Sequence, residues 1–234
     1  MKGFFINCIQ DFLTRHPALN RFLSYRNPRR YWQKRGGDLY YQQQEAVAER
    51  QLRSQFILER LTRLSYANVL EIGCGYGKQL KNLKTGPDCL VVGIDWSRPQ
   101  LIKAKEVCGP IEPVLIEGDA ARLPFRDKSF DLVLTSAVIM HNAEPQAQQI
   151  IHEILRVGKR YVAHNEDTNV TFKRRGYDMC KTYKKMGIKI LESGPIELNP
   201  PVSNTQFTLV DLNSTDSLPR SSEEIPLQYH HREA

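Results

Sequence analysis

Short apolar runs alternate with amphipathic stretches from residue 66 to residue 186, and this alternation restricts the possible folds more than any other feature of the chain. The runs are rich in Val, Ile and Leu and are apolar nearly throughout, which is typical of strands buried on both faces. They are Val69–Ile72, Leu90–Ile94, Val114–Ile116, Phe130–Leu134 and Arg160–Ala163. The stretches between and after them predict helices near 77–84, 98–108, 145–156 and 171–186. Such an order indicates βαβ units and a parallel sheet.

The last two predicted strands are connected differently. Only a loop rich in Pro and Asn joins Ile188–Leu191 to Gln206–Val210, and strands joined without a crossover helix pair antiparallel. The sequence therefore predicts an α/β fold with a Rossmann-like, doubly wound sheet of about seven strands. Most of these strands are parallel, an antiparallel strand lies at the edge, and an N-terminal helical cap completes the fold.

Three regions follow from this pattern. Residues 1–65 are predicted to form a helical cap or lid, because their apolar content is too small for a separate core, and residues 31–37 are expected to be a loop within it. Residues 66–211 form the α/β domain, and the polar residues 212–234 are expected to be a disordered tail. Two short amphipathic helices, broken at Pro17, are predicted before residue 28 and could lie on a membrane surface.

Composition limits the partners and the compartment. The chain of 234 residues has a net charge of +7, and residues 1–63 hold 12 Lys and Arg against 5 Asp and Glu. This basic excess could bind an acidic partner, such as nucleic acid, or form an ordinary solvated face. The five cysteines include no C-x-x-C pair, so neither a disulfide framework nor a metal site is expected, and the chain is predicted to be cytoplasmic. No apolar run is long enough for a transmembrane helix.

A glycine-rich loop joins the first predicted strand to the next amphipathic stretch. Its glycines, Gly73, Gly75 and Gly77, allow positive φ and let a ligand approach the backbone closely. A dinucleotide loop would have a third small residue where Lys78 stands. Glu71, just before the loop, is a poor neighbour for a pyrophosphate but suits an ammonium group. The loop therefore favours a ligand that combines an ammonium, a carboxylate and an adenosine over NAD.

Four segments resemble the class I S-adenosylmethionine-dependent methyltransferases, and specifically their type 11 branch. They are Glu71–Gly77, Gly93–Ser97, Glu117–Phe125 and Phe130–His141. The resemblance covers residues 66–165 and implies S-adenosyl-L-methionine as the cofactor, with S-adenosyl-L-homocysteine as the product. One departure is the single Gly158 before the fifth strand, where the family usually has a Pro-Gly-Gly turn.

The resemblance also assigns cofactor contacts. It implies that Asp95 accepts the ribose hydroxyls, that Asp119 accepts the adenine amino group, and that a lid arginine could pair with the methionine carboxylate. The cofactor-binding residues so implied are Trp32, Arg35, Glu71, Gly73, Cys74, Gly75, Gly77, Asp95, Trp96, Asp119, Ala120 and Ser136. Trp32 and Arg35 are the lid residues, and Cys74 is interpreted as a small filler rather than a nucleophile.

Polar residues after the fourth and fifth strands are the candidates for the acceptor side, because the carboxyl ends of these strands border the cleft. His141 and His164 are predicted as catalytic bases, since a histidine can accept a hydroxyl proton near neutral pH. Glu166, Asp167 and Asn169 are predicted to bind substrate. The alternatives left open are a structural or cofactor-loop role for His141, and a loop or helix-capping role for the cluster that begins at His164.

The resemblance implies methyl transfer, and two acceptor classes remain. The first is a small polar molecule, most simply a hydroxyl of a sugar, a glycan precursor or a secondary metabolite. The second is the wobble uridine of a tRNA, because Gly118–Arg126 and Ser129–Asp131 also resemble wobble-uridine methyltransferases. No RNA-binding module is recognisable in the sequence, which favours the small molecule.

Overall fold

The computed structural model describes residues 12, 16, 28–109, 111–171, 174–196, 205–214, 219 and 222–229. The two helices predicted before residue 28 fall almost entirely outside these residues. Their suggested contact with a membrane surface therefore stays a prediction.

A seven-stranded sheet forms the centre of the molecule. Its strands are β1 (Asn68–Ile72), β2 (Leu90–Asp95), β3 (Val114–Glu117), β4 (Phe130–Ser136), β5 (Gly158–Asp167), β8 (Lys189–Pro195) and β9 (Thr205–Asp211), while β6 (Val170–Thr171) and β7 (Arg174–Arg175) form a separate small hairpin. The order is β3-β2-β1-β4-β5-β9-β8. Strands β1 to β5 pair in parallel, and β9 runs antiparallel to both β5 and β8. The predicted mostly parallel, Rossmann-like sheet is confirmed.

The strand order reverses between β1 and β4, and this reversal positions the cleft. From β1 the sheet extends through β2 to β3 on one side, and through β4 to β5 on the other. In doubly wound sheets, ligands bind beyond the carboxyl ends of the strands at such a switch point.

Helices cover the sheet and its carboxyl edge. They are α1 (Pro28–Arg35), α2 (Asp38–Glu45), α3 (Ala48–Leu61), α4 (Arg98–Val107), α5 (Glu144–Val157) and α6 (Met179–Lys185), with 3₁₀ turns at Leu80–Asn82, Ile139–His141 and Leu212–Ser214. None of the helices among the described residues has the length and apolar character needed to cross a membrane.

Three helix boundaries differ from the sequence-based expectation. The loop expected at 31–37 is mostly helix α1, which begins at Pro28, a residue whose fixed φ suits a first helical position. The helix expected at 77–84 is a series of turns ending in the 3₁₀ turn Leu80–Asn82. The helix expected at 171–186 is replaced by the β6–β7 hairpin and the shorter α6. Gly176, at φ 66° and packed against the Thr168 carbonyl, interrupts it.

The core consists of two layers, one on each face of the sheet. Along each central strand, alternate side chains enter opposite layers, as Leu70 and Val69 of β1 illustrate. The first layer contains Leu70, Val92, Val133 and Val162 together with the buried face of α5 (Ala147, Ile150, Ile151, Ile154 and Leu155). The second layer contains Val69, Val91, Leu132 and Ala163 together with Ile57, Leu58 and Leu61 of α3 and Leu101 of α4.

Residues 222–229 pack against the α/β domain. Ile225 and Leu227 are buried in the layer that contains α5. The Asp178 N–H donates to the Gln228 carbonyl at 2.8 Å, and the Tyr229 hydroxyl donates to Glu144 at 2.9 Å. The expectation of a disordered tail is therefore wrong for these residues, because two apolar side chains in a polar stretch were enough to anchor it.

Candidate functional site

A cavity opens beyond the carboxyl ends of β1, β2 and β4, under the N-terminal helices. Backbone of the glycine loop and of the turn after β4 forms much of its wall. The lining side chains from the sheet side are Glu71, Cys74, Tyr76, Lys78, Gln79, Ile94, Asp95, Trp96, Gln100, Ala120, Ser136, Val138, His141, Asn142, Ile150 and Asn165. From the helices above come Trp32, Tyr40, Gln44, Arg50, Arg53 and Ser54.

The glycine loop turns sharply around the end of β1. Gly73, Gly75 and Gly77 have φ values of 65°, 55° and 78°, which are readily adopted only by glycine. Gly73 and Gly75 line the cavity, as predicted from the sequence. Gly77 does not, since it faces α4, where a side chain would collide with the Cys108 thiol. Its glycine is required for loop packing.

Asp95, at the end of β2, is the second structural element of the site. Its Oδ2 accepts the Gly75 N–H at 2.9 Å, and its Oδ1 accepts the Ser97 N–H at 2.8 Å. Burial raises the pKa of Asp95 to about 6, although these backbone donors oppose the shift. The carboxylate therefore fixes the loop while its cavity-facing side can accept hydrogen bonds from a ligand.

Several buried polar atoms at the cavity wall have no hydrogen-bond partner among the described residues. Glu71 Oε2 and Gln100 Oε1 are two of these atoms, and both residues line the cavity. Burial raises the pKa of Glu71 well above its usual range. An unsatisfied buried acceptor costs free energy, so both groups are suited to a ligand that donates hydrogen bonds or carries positive charge.

Cys74 lines the same wall, and burial raises the pKa of its thiol well above the usual range. A thiol with a raised pKa is a poor nucleophile at neutral pH. The structure agrees with its interpretation as a small filler.

Residues 118–120 follow β3, and only some of the contacts predicted there line the cavity. Gly118 and Ala120 line the cavity, as do Trp96 and Ser136 from neighbouring strand ends. Asp119 does not, because its side chain is exposed and its Oδ1 accepts the Ala121 N–H at 2.9 Å. The structure therefore does not bring Asp119 together with the other predicted cofactor residues.

Helix α1 forms part of the roof. Trp32 lines the cavity, packs edge-on against His141 at 5.3 Å between ring centroids, and accepts a hydrogen bond from the Ser97 hydroxyl through its carbonyl at 3.0 Å. Gly36 packs so closely on α4 that a side chain would lie 2.7 Å from Gln100 Cγ. Arg35 points elsewhere: it is exposed, with its guanidinium 5.2 Å from the Tyr40 ring centroid.

The two predicted bases lie in different environments. His141 lines the cavity, whereas His164 is fully buried inside β5 and does not. Its Nδ1 lies 2.7 Å from the Thr135 hydroxyl and its Nε2 2.6 Å from the Tyr183 hydroxyl. Burial lowers the pKa of His164 to about 3. A ring that is neutral and bonded at both nitrogens cannot reach a substrate, so His164 is not a base.

The hydrogen bonds around His164 form a chain in which each donor can be assigned. The Thr135 hydroxyl donates to Glu166 Oε1 at 2.9 Å, so it accepts from His164 Nδ1–H. His164 Nε2 then accepts from the Tyr183 hydroxyl. Glu166 also accepts the backbone N–H groups of Val138 and Met140, each at 3.1 Å. This network fixes the turn after β4, and we refer to these four side chains, Thr135, His164, Glu166 and Tyr183, as the β5 network.

The three predicted substrate-binding residues do not line the cavity. Glu166 is buried and belongs to the β5 network, and burial raises its pKa to about 7. Asp167 is buried and ion-paired with Arg174 of the small hairpin. Asn169 follows β5 and is half-buried outside the cavity. The structure does not bring these three residues to the cavity, and it places Glu166 and Asp167 in strand β5 rather than in the loop or helix cap of the alternative.

Several cavity residues were missed by the sequence reasoning. Asn165, Asn142, Lys78, Gln79 and Gln100 come from the sheet side. Arg50, Arg53 and Ser54 come from α3, where their i, i+3 and i+4 spacing places them on one side of the helix. That spacing was visible in the sequence, but nothing local indicated that this side of α3 faces the glycine loop.

Within the ranges that the structure describes, no group of three or more His, Cys, Asp or Glu side chains is placed to hold a metal ion.

The chain is similar to known proteins both in sequence and in fold. Residues 69–160 match the family model described as a methyltransferase domain. Over 114 residues the chain is 32% identical to a tRNA (carboxymethyluridine(34)-5-O)-methyltransferase of Arabidopsis thaliana, covering 45% of this chain and 26% of that protein. Over 123 residues it is 32% identical to an O-methyltransferase of Penicillium expansum, covering 50% of this chain and 44% of that protein.

A solved structure extends the likeness of fold beyond these segments. Magnesium protoporphyrin IX methyltransferase from Synechocystis, solved with bound S-adenosylmethionine, matches with a TM-score of 0.56 and 17% identity. The match covers 88% of this chain and 95% of that one. By contrast, the chain spans only 26%, 42% and 30% of the length of the first curated relatives that it matches.

Proposed function

Residues 69–160 belong to the class I methyltransferase-domain family, and on this premise we propose that the chain transfers a methyl group from S-adenosyl-L-methionine to an oxygen of a small polar acceptor. The observation that carries the proposal is the set of unpartnered buried acceptors beside the glycine loop, above all Glu71 Oε2. A cofactor with an ammonium group, a ribose and an adenine would satisfy them.

The residues present fit this cofactor at three points. Glu71 would hold the ammonium group, and the cavity-facing side of Asp95 would accept the ribose hydroxyls. Trp96 and the backbone at Gly118 and Ala120, which also line the cavity, would hold the adenine. When bound, the cofactor supplies a methyl group on a positively charged sulfur, and the closely packed glycine loop lets the ligand approach the backbone.

Polar groups near the ends of β4 and β5 support the proposal of a small polar acceptor. Ser136 accepts a hydrogen bond from the Asn165 amide at 2.8 Å, while Asn165 Oδ1 and Asn142 Oδ1 have no partner among the described residues. Such groups suit a hydroxylated molecule, such as a sugar, a glycan precursor or a secondary metabolite. His141 is the titratable ring at this wall, and we propose it as the base that accepts the hydroxyl proton.

The tRNA alternative is favoured by one specific observation. The Arabidopsis relative acts, by its name, on a modified uridine of tRNA. Its match covers 45% of this chain. The same match covers 26% of that protein. The small acceptor is the first proposal, because the polar groups of the acceptor side lie in a cavity that α1, α2 and α3 line from above.

Equilibrium binding followed by methyl transfer tests the proposal. S-adenosyl-L-homocysteine is expected to bind and NAD is not, with Asp95→Ala as the variant that weakens binding. Transfer of a labelled methyl group is then measured with sugars, sugar nucleotides, bulk tRNA and cell extract. Binding of NAD in preference would contradict the cofactor assignment. Labelling of tRNA alone would replace the small acceptor by the alternative.

A further inference from the structure

The cavity holds more positive charge than the cofactor can use. Arg50, Arg53 and Lys78 all line it. Lys78 Nζ and Arg53 Nε are buried without a hydrogen-bond partner among the described residues. A buried charged donor without a partner costs free energy, and it is usually retained where a ligand supplies the partner.

The carboxylates nearby already have cations of their own. Glu45 pairs with Lys81 at 2.7 Å, and Glu49 pairs with Arg53. Within the described part of the chain, no carboxylate lies within ion-pair distance of Arg50 or Lys78. We call the wall formed by Arg50, Arg53 and Lys78 the cationic wall. Glu49 offsets the charge of Arg53, so the charges of Arg50 and Lys78 are the ones without an ion-pair partner among the described residues.

Lys78 shows the electrostatic consequence. Burial is the largest cause that lowers its pKa, to about 8, and the like charges of Arg50, Lys81 and Arg53 lower it further, against the raising effect of Glu45. A bound anion would reverse this shift, because it favours the charged ammonium.

The cofactor accounts for only part of this wall. S-adenosyl-L-methionine has one carboxylate, which either Arg50 or Lys78 could hold, while its ammonium group would face the negative charge of Glu71. The other cation then remains, together with the unbonded Nε of Arg53. Both lie in the same cavity as Ser136, Asn142 and Asn165, the polar groups of the acceptor side.

We propose that the methyl acceptor is a small acid, bearing a carboxylate or a phosphate, and that the cationic wall holds this anion. The inference rests on the proposed methyltransferase function and narrows its acceptor. Arg50 and Arg53 present planar donors that match either anion in a two-point geometry, and Lys78 adds a point charge. The wall lies in a concave cavity lined from above by residues of α1, α2 and α3, and this setting suits a small molecule better than a polynucleotide backbone.

Intrinsic fluorescence gives a direct test, because both tryptophans of the chain, Trp32 and Trp96, line the cavity. The protein is saturated with S-adenosyl-L-homocysteine and titrated at constant ionic strength with inorganic phosphate, glucose 6-phosphate or 4-hydroxybenzoate. Glucose and 4-hydroxybenzamide are the uncharged counterparts. We expect saturable binding of at least one anionic probe, and at least about tenfold weaker binding of its uncharged counterpart.

Matched variants locate the effect. Arg50→Met and Lys78→Met each remove one charge and keep a long side chain, and each is expected to weaken the anionic probe at least about tenfold. Lys105→Met removes the same charge from the exposed side of α4, outside the cavity, and should leave binding unchanged. Equal losses in all three variants would mean a general charge effect and would overturn the proposal.

A second titration separates the acceptor from the cofactor. 5′-Methylthioadenosine lacks the amino-acid part of S-adenosyl-L-homocysteine. If both variants weaken the homocysteine compound but not the thioadenosine, the wall serves the cofactor carboxylate and the inference fails, while the proposed function stands. Absence of saturable binding by every anionic probe, or variant-sensitive binding of bulk tRNA alone, also overturns it. Failure of the unmodified protein to bind S-adenosyl-L-homocysteine would instead refute the proposed function.

Discussion

The ends of β2 and β5 both carry buried acidic side chains that accept backbone N–H groups, but only those at β2 line the cavity. Asp95 at the end of β2 and Glu71 of the adjacent β1 line the cavity, and Glu71 Oε2 has no hydrogen-bond partner in the part of the chain that the structure describes. At the end of β5, Glu166 accepts hydrogen bonds from Thr135 and from backbone N–H groups. Unsatisfied polar groups mark a place for a ligand, whereas a satisfied network is part of the framework.

A substitution in the glycine loop should have the largest effect on ligand affinity, and it tests the assignment of this strand end as the ligand site. Gly75→Val should reduce affinity for S-adenosyl-L-homocysteine at least about 100-fold, because φ at this residue is 55° and a side chain would enter the cavity beside Gln100. Isothermal titration calorimetry measures the loss. Gly86→Val is the control, since Gly86 is exposed and has open space around it. Near-normal affinity in the Gly75 variant would show that the ligand does not approach this loop.

Removal of the β2 carboxylate tests the same side with a smaller expected effect. Asp95→Ala should weaken binding of S-adenosyl-L-homocysteine by about 10- to 150-fold, the equivalent of a lost hydrogen bond to a charged group. Asp119→Ala is the matched control, because Asp119 is exposed and does not line the cavity. An equal loss of affinity in both variants would show that Asp119 contacts the cofactor after all.

Acid pH should weaken cofactor binding without any substitution. The pKa of Asp95 is raised to about 6, so its ionised form, which accepts the ribose hydroxyls, is depleted as the pH falls through that value. Affinity for S-adenosyl-L-homocysteine should be constant above about pH 7 and fall about tenfold by pH 5. The raised pKa of Glu71 acts in the same direction. Titrations in Asp95→Asn should lose the Asp95 component, and tighter binding in acid would contradict the assignment.

A change in the β5 network should have the smallest effect on affinity and a clear effect on stability. Thr135→Val removes the hydroxyl between His164 and Glu166, and it should lower the free energy of unfolding by about 1–3 kcal/mol. Affinity for S-adenosyl-L-homocysteine should change less than about twofold, because the network lies outside the cavity. Urea unfolding and calorimetry on the same samples give both values. A large loss of affinity with unchanged stability would remove the distinction between the two strand ends.

The sequence predicted the sheet and the cofactor side well, because their signals are local. Glu71, Gly73, Gly75 and Asp95 lie in short segments whose spacing already specifies a strand, a turn and a carboxylate. Physical packing then brings those segments together in the order that the switch point requires. Their placement at the cavity needed no knowledge of distant contacts.

The acceptor side was predicted poorly because one strand is longer than its apolar run. The apolar run predicts that the fifth strand ends at Ala163, but β5 continues to Asp167. His164 and Glu166 therefore lie within the sheet, on the face of Val162, instead of in a loop above the cleft. Asn165 alternates to the other face and lines the cavity. The cationic wall depends on where α3 packs, which no local pattern specifies.

The position of residues 222–229 has a consequence for synthesis of the chain. Ile225 and Leu227 complete the core layer around α5 and α6, yet they follow every strand of the sheet in sequence. During translation, the sheet can be completed only after β9 emerges, and the part of this layer that Ile225 and Leu227 cover stays exposed for longer still. Until residue 229 has left the ribosome, exposed apolar surface around Tyr177 and Ile188 is available to chaperones or to other nascent chains.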